Sequence, residues 1–145
     1  MSALPTAAAL DRVIAWYETL TPETLERLTE LYAHDARFKD PFNDVVGRAG
    51  IRRVFAHMFE TTEAPRFRIA SRVAGEGEAF VSWVFGFRAA RREFEIRGAT
   101  HLLFDARGKI VAHRDYWDAA EELYAKLPLL GPLVRMLGRR FASPG

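Results

Sequence analysis

Apolar residues recur at helical spacing in the first part of the chain. Residues 10–17 and 25–32 each carry a stripe of large apolar side chains, which predicts two amphipathic helices. Thr21 and Pro22 lie between them and suit the cap and the first position of the second helix. A third helix is predicted by one further stripe, formed by Ile51, Val54, Phe55, Met58 and Phe59.

From Pro65 onward apolar and polar residues alternate, and this period of two is that of a β-strand. One predicted strand covers residues 79–89, and another follows after a turn at residues 90–92. Gly108 supplies the positive φ of a hairpin turn that leads into a last strand over residues 109–117. Helices followed by a meander of long antiparallel strands predict an α+β fold, with a curved sheet wrapped against the helices.

The composition favours one globular domain over residues 1–145. Hydrophobic residues make up 49% of the chain and include eleven phenylalanines, enough for a core and for the lining of a cavity. No apolar run approaches the roughly 20 residues of a membrane span, and the N-terminus does not resemble a secretory signal. We therefore expect a cytoplasmic protein with no integral membrane segment.

Charge and residue types exclude several classes of site. The 21 basic and 19 acidic residues are dispersed and give a net charge of +2, which does not indicate a nucleic-acid partner. Without cysteine there is no disulfide and no thiolate ligand. The histidines, at positions 34, 57, 101 and 113, lack the spacing of a metal site, so none is expected. Neither a phosphate-binding loop nor a serine-nucleophile motif occurs.

An extension from about residue 119 to 145 follows the last predicted strand. Its segment 127–132 is rich in leucine and proline and leads into a short amphipathic pattern. There three arginines accompany five apolar residues: Arg135, Arg139 and Arg140 with Leu133, Val134, Met136, Leu137 and Phe141. The favoured interpretation is a terminal helix that covers the cavity mouth or extends a subunit interface. Contact with a membrane surface is the alternative.

Asp40 lies between aromatic residues in the segment Phe38–Phe42, with Pro41 directly after it. A carboxylate among apolar side chains loses hydration, so the pKa of such a group rises and it can accept a proton near neutral pH. Aspartate before proline is also common at turns, because proline forces the preceding residue into extended geometry. Asp40 is therefore either a catalytic base or a turn residue.

The last predicted strand sends His113, Asp115 and Trp117 to one face. Such a mixture is unusual for a plain core and suits a half-open cavity, although a single histidine on a strand is more often structural. Thr100 lies in the middle of an apolar face, where a buried hydroxyl needs a partner. The aromatic face around Trp83 is core by default and becomes a ligand wall if the sheet curves enough to leave a void.

Several segments together resemble the nuclear transport factor 2-like superfamily, in its ketosteroid isomerase and SnoaL-like branch. They are residues 31–42, 47–51 and 103–110 and the pair Tyr116–Trp117. The resemblance covers nearly the whole chain and implies a cone-shaped curved sheet packed against three N-terminal helices. That scaffold serves isomerases, cyclases, dehydratases and epoxide hydrolases as well as proteins without catalysis.

Site residues follow from the resemblance position by position. Asp40 matches the isomerase general base, and Tyr17 matches the tyrosine that binds the oxyanion. Thr100 replaces the protonated aspartic acid that is the second donor in ketosteroid isomerases, and a hydroxyl stabilises an enolate less. His113 occupies a position that lines the pocket. Contacts to substrate are predicted for Trp83, Phe85, Phe55 and Trp117.

The resulting hypothesis is an enzyme in which Asp40 removes a proton from a small hydrophobic carbonyl compound. Tyr17, with Thr100 or His113, would stabilise the enolate, from which isomerisation, cyclisation and dehydration all proceed. No metal or organic cofactor is implied, and the resemblance implies a homodimer formed through the sheet. The alternative is a non-catalytic binding or dimerisation module that holds an apolar ligand in the cone.

Overall fold

Helices form the first part of the computed structural model, which describes residues 4–126 and 130–142 apart from the side chains of Val134 and Phe141. Helix α1 spans Thr6–Glu18, a 3₁₀ helix spans Pro22–Arg27, and the short α2 follows at Leu28–Leu31. Helix α3 spans Arg48–Thr61. The three predicted helical segments are confirmed, although the second is a 3₁₀ helix continued by about one α-helical turn.

Thr21 begins the second segment as the sequence predicts. Its hydroxyl accepts a hydrogen bond from the N–H of Thr24 at 3.3 Å, and the Thr24 hydroxyl accepts one from the N–H of Thr21 at 2.9 Å. This reciprocal capping box satisfies two N–H groups that a helix start leaves free. It fixes the point at which the chain leaves α1 and starts the next segment.

Six strands form one curved, unclosed sheet in the order β2-β1-β6-β5-β4-β3. Their bounds are Tyr32–Lys39 for β1, Asp44–Val46 for β2, Glu63–Ala74 for β3, Glu78–Ala89 for β4, Arg92–Phe104 for β5 and Ile110–Tyr116 for β6. The predicted α+β fold is therefore confirmed. One pair differs from the expected antiparallel meander, because β1 and β6 pair in parallel while the other neighbours are antiparallel.

The core lies between the concave face of the sheet and the helices. On β4 the inward residues Val81, Trp83 and Phe87 are each 7% exposed, whereas Phe80 on the outer face is 47% exposed. This alternation confirms the predicted period of two. Helix α1 covers β3 and β4 with the stripe that the sequence predicts, since Leu10, Val13 and Ile14 are buried.

Tyr32 differs from the expectation. Its spacing from Leu28 suggests the end of the second helix, but the structure makes Tyr32 the first residue of β1, with extended φ and ψ of −99° and 137°. It pairs with Ile110 of β6 and is 0% exposed. The pairing partner lies far along the chain, and such a long-range contact overrides the local helical spacing.

The C-terminal extension consists of α4 at Ala119–Glu122, a 3₁₀ helix at Tyr124–Lys126 and α5 at Leu130–Phe141. Residues 127–129 of the leucine- and proline-rich segment lie outside the described residues. Four apolar side chains of α5 are 45–52% exposed, namely Leu130, Leu133, Met136 and Leu137. The predicted roles of this helix, over the cavity mouth or in a subunit interface, stay predictions. No described helix is both long enough and apolar enough to span a bilayer.

Candidate active site

A small cavity lies between helices α1 and α3 and the concave face of the sheet. The space open to the centre of a water-sized molecule is about 40 Å³, which is room for a few waters. The wall is mostly apolar, and five of its side chains can form hydrogen bonds: Tyr17, Trp83, Thr100, His113 and Asp115. A mostly apolar wall with a few convergent polar groups is also the composition of small-molecule sites, which usually have a larger volume of roughly 300–1,000 Å³.

His113 and Asp115 stand side by side on β6. Because alternate residues of a strand face the same side, both point away from the outer face of the sheet. The register of β5 against β6 sets Thr100 opposite Asp115. The Thr100 hydroxyl lies 2.6 Å from Asp115 Oδ1, and His113 Nε2 lies 2.7 Å from the same oxygen. One carboxylate oxygen therefore binds both a hydroxyl and an imidazole.

Trp83 fixes the direction of these hydrogen bonds. Its indole N–H can only donate, and it donates to Thr100 Oγ1 at 2.7 Å. The single proton of Thr100 is then directed to Asp115, and we assign the Nε2 proton of His113 to Asp115 as well. No hydrogen bond from a described residue reaches Asp115 Oδ2, and the side chain is 17% exposed. The second carboxylate oxygen is thus free to accept a proton.

Two tyrosines complete the network on the other side of the imidazole. The Tyr32 hydroxyl lies 2.9 Å from His113 Nδ1, and the Tyr17 hydroxyl lies 2.5 Å from that of Tyr32 and 3.2 Å from Nδ1. Burial raises the pKa of Tyr17 well above its ordinary value, and the nearby Tyr32 and the charge of Asp115 raise it further. Burial likewise raises the pKa of Tyr32. Both hydroxyls therefore stay protonated and act as donors.

Because Gly98 has no side chain, the Trp83 indole can occupy the space above it. A Cβ atom added at Gly98 would lie 2.5 Å from Cη2 and from Cζ2 of Trp83, and 3.1 Å from Cβ of Trp117. Such distances are closer than van der Waals contact allows. Glycine on β5 thus lets the ring of β4 lie across the neighbouring strand, where its N–H reaches Thr100.

Asp40 lies in a turn, and its surroundings differ from those of Asp115. Oδ1 accepts hydrogen bonds from the backbone N–H groups of Phe42 at 2.8 Å and Asn43 at 2.7 Å, and the Asn43 amide lies 3.1 Å from each carboxylate oxygen. These contacts form a turn between β1 and β2. Phe38 points into the core, whereas Phe42 is 55% exposed. The aromatic neighbours in sequence therefore do not enclose the carboxylate.

A second, more open cleft adjoins the cavity. It is lined by residues at the ends of β1 and β6 and directly after them, namely Lys39, Asp40, Pro41, Arg114, Asp115, Tyr116, Trp117 and Asp118. Asp115 lines both the cleft and the cavity, whereas Asp40 lines only the cleft. Asp115 therefore connects the enclosed space to the outer opening.

The structure brings part of the predicted site together. Tyr17, Thr100, His113, Phe55 and Trp83 all line the cavity. Three predicted residues lie elsewhere. Asp40 and Trp117 line the outer cleft, and the Phe85 ring stacks on Phe67 at 4.5 Å between ring centres without lining the cavity. The roles predicted for these residues stay predictions.

Two polar residues of the network were not predicted as site residues. Asp115 shares a strand face with His113, and this i, i+2 spacing of two proton-carrying groups is a signal that could have found it. Tyr32 offers no such signal, because its local spacing suggests a helix. No group of three histidine, cysteine, aspartate or glutamate side chains that could hold a metal ion occurs in the ranges 4–126 and 130–142.

Solved structures share this fold at low sequence identity. One is a protein with a ketosteroid isomerase-like fold from Catenulispora acidiphila, in complex with trimethylamine, at 19% identity and TM-score 0.67 over 79% of this chain and 88% of that chain. A protein of unknown function from Burkholderia pseudomallei matches at 17% identity and TM-score 0.69, over 78% and 92% of the two chains. An epoxide hydrolase from M. tuberculosis matches at 13% identity and TM-score 0.68, over 92% and 96%.

These likenesses show the fold, which is that of the nuclear transport factor 2-like proteins. Among curated proteins, none matches the sequence significantly. The family model of the SnoaL-like domain matches residues 13–113, a stretch that runs from α1 to His113 and includes most of the cavity wall. The resemblance predicted from the sequence is confirmed, and the chain belongs to the SnoaL-like domain family.

Proposed function

We propose that this protein is an enzyme that transfers a proton on a small apolar carbonyl compound, with Asp115 as the general base and His113 as its partner. The observation that carries the proposal is the Asp115 carboxylate itself. One of its oxygens binds Thr100 and His113, no hydrogen bond from a described residue reaches the other, and the residue lines an apolar cavity. A base needs an acceptor atom within reach of the substrate proton, and Oδ2 offers one.

The reaction begins when Asp115 Oδ2 takes a proton from the carbon next to the carbonyl group. The C–H bond breaks, its electron pair forms the enolate, and the negative charge collects on the carbonyl oxygen. Tyr17 lines the cavity and stays protonated, so turning its hydroxyl from Tyr32 to the ligand supplies a donor for that oxygen. Return of the proton to another carbon completes an isomerisation, and cyclisation or dehydration branches from the same enolate.

Asp40 is the other candidate base, and the family resemblance supports it. It shares the outer cleft with Asp115, so a ligand in that cleft can touch both carboxylates. Its Oδ1 accepts two backbone N–H groups of the turn, and the Asn43 amide lies 3.1 Å from each of its oxygens, so neither oxygen of Asp40 is without a hydrogen-bond donor. We therefore assign the base to Asp115 and treat Asp40 as a residue that shapes the entrance.

Hydrogen exchange tests the proposed chemistry without knowledge of the natural substrate. The protein is incubated with a small apolar ketone, such as cyclohexanone, in D₂O, and NMR follows the loss of the proton signal next to the carbonyl. We expect exchange well above the buffer rate, because proton removal alone is sufficient. Ligand-observed NMR in the same sample reports binding. Binding without faster exchange would instead support the non-catalytic module.

We also propose that two copies pair through the outer face of the sheet. Phe80, Leu103 and Tyr116 project from the neighbouring strands β4, β5 and β6 and are 47%, 38% and 51% exposed. The register places His101 and Arg114 between Phe80 and Tyr116, so this face carries exposed apolar side chains among polar ones. Such a mixture on an open sheet suits a second copy of the same chain. Light scattering after size-exclusion chromatography should give twice the chain mass for the wild type and the single mass for Phe80→Asp. A monomeric wild type would refute the pairing.

A further inference from the structure

Helix α5 presents an apolar face that the described part of the protein leaves uncovered. Leu130, Leu133 and Leu137 follow one another at steps of three and four residues, so they lie on one side of the helix. They are 45%, 49% and 46% exposed, and the adjacent Met136 is 52% exposed. Surfaces of soluble proteins seldom expose four large apolar side chains within three turns of one helix.

The attachment of α5 to the rest of the chain uses another side of the helix. Gly131 is buried, and a Cβ atom added to it would lie 2.6 Å from the Ala125 carbonyl oxygen. Arg135, one turn further, donates from Nη1 to the same oxygen at 2.5 Å. Gly131 and Arg135 thus hold the helix to the 3₁₀ turn at Tyr124–Lys126. Leu137 borders the groove beside this attachment, whereas Leu133 and Met136 lie on the opposite side of the helix by the spacing of 3.6 residues per turn.

Charge distinguishes α5 from the remainder of the molecule. The helix contains Arg135, Arg139 and Arg140 and no acidic residue. The chain has 21 basic and 19 acidic residues, so without these three arginines it has 18 against 19. The whole positive excess of the protein therefore lies in this helix. The neighbouring acids Asp118 and Glu121 line a groove with Arg135 and leave Arg139 and Arg140 at the far end of the helix.

We propose that α5 is a membrane-surface helix that binds a bilayer containing anionic lipid. Exposed leucines on one face and the arginines at the end of the helix, Arg139 and Arg140, are the two features that bind a helix in the plane of a membrane interface. The arginines are complementary to the negative surface of such a bilayer. The proposal does not depend on the chemistry of the cavity, and it would bring an enzyme for apolar compounds to the phase in which they dissolve.

Cosedimentation of the full chain with vesicles tests the proposal. We compare vesicles of phosphatidylcholine alone with vesicles of equal parts phosphatidylcholine and phosphatidylglycerol. Binding to the anionic vesicles should be at least about tenfold stronger, since each arginine near the surface adds to the attraction. Raising the salt concentration should weaken it, because screening shortens the reach of the charges. A wild type that stays in the supernatant with both vesicles overturns the proposal.

Matched variants separate this helix from the rest of the surface. Arg139→Gln with Arg140→Gln should reduce binding to anionic vesicles at least about tenfold. Arg53→Gln with Arg107→Gln removes the same charge from exposed positions elsewhere and should change binding less than about threefold. Equal losses in the two pairs would refute a site on α5. Circular dichroism confirms that each variant keeps its secondary structure.

The apolar face is tested against the rival occupant, a second copy of the chain. Leu133→Gln with Leu137→Gln should abolish vesicle binding and leave the solution mass unchanged. If instead this variant halves the mass and keeps vesicle binding, the face is a subunit interface and the proposal is wrong. Unchanged mass together with unchanged vesicle binding refutes it as well.

Discussion

The two carboxylates near the opening, Asp40 and Asp115, are chemically the same group in different surroundings. Asp40 is bound by backbone N–H groups of its own turn, two and three residues away. Asp115 is bound by the side chains of Thr100 and His113, and one of its oxygens stays free. The first arrangement stabilises a loop, whereas the second orients a proton acceptor. The comparison shows that the donors around a carboxylate, rather than its neighbours in sequence, indicate what it can do.

The largest expected effect on stability comes from His113. Its side chain is 2% exposed and joins Asp115 to the tyrosine pair. His113→Ala should lower the free energy of unfolding by about 3 kcal/mol, because it leaves a cavity and takes partners from Asp115 and Tyr32. Urea unfolding of the variant and the wild type measures the change in the free energy of unfolding. His101→Ala is the control, since His101 meets Glu78 on the outer face and should cost less than about 1 kcal/mol. Equal losses of stability in His113→Ala and His101→Ala would contradict the hydrogen-bond network around His113.

The second-largest effect on stability is expected at Gly98. Gly98→Ala forces the Trp83 ring away from its position across β5 and should cost about 2 kcal/mol, the usual cost of overpacking. Displacing the ring also breaks the indole contact to Thr100, so tryptophan fluorescence should change. Gly138→Ala is the matched control, because no described residue beyond its own stretch of helix lies within 4 Å of the added carbon, and it should be neutral or slightly stabilising. A neutral Gly98→Ala would show that Trp83 is not confined.

The tyrosine pair should make stability depend on alkaline pH. Burial raises the pKa of Tyr17 and Tyr32 in the folded state, while unfolding returns each to about 10.0. Above that pH the unfolded chain loses protons that the folded one keeps, so stability present at neutral pH falls as the pH rises. Each residue contributes a slope of about 1.4 kcal/mol per pH unit. Urea unfolding at several pH values above 10 measures the slope. Tyr32→Phe should reduce it, and a slope equal to that of the wild type would contradict the role of the buried hydroxyl.

The smallest effect is expected at Asp40. In Asp40→Asn the remaining side-chain oxygen can still accept from the N–H groups of Phe42 and Asn43, so stability should change by less than about 0.5 kcal/mol. Asp40→Ala removes that acceptor and should cost about 1 kcal/mol. Thermal unfolding of the two variants distinguishes them. A large loss in the asparagine variant would mean that the charge, and not the turn, is what the fold requires.

The sequence predicts the fold well because hydrophobic periodicity is local. The stripes on α1 and α3 and the alternation on β4 and β5 are each contained within one element, and the structure confirms them. The helical prediction for Tyr32 is wrong because the structure there depends on a distant part of the chain: Tyr32 pairs with β6.

The site is less predictable, because its contacts join distant parts of the chain. Tyr17 and Tyr32 meet His113 across 96 and 81 residues, and no local pattern encodes that. Asp40 is ambiguous in sequence, since Asp-Pro followed by Asn43 is turn chemistry and also matches the base position of the family resemblance. The reasons to prefer Asp115 come from the structure: it lines the cavity, and one of its oxygens has no donor among the described residues.

The most direct test of that preference is deuterium exchange of cyclohexanone in D₂O with two variants, Asp115→Asn and Asp40→Asn. Both exchange a carboxylate for an amide of nearly equal shape. We predict that Asp115→Asn reduces the exchange rate at least about a hundredfold, the usual contribution of a positioned base, while Asp40→Asn stays within about twofold of the wild type. Loss of exchange in Asp40→Asn with retention in Asp115→Asn would contradict the account and return the role of base to Asp40.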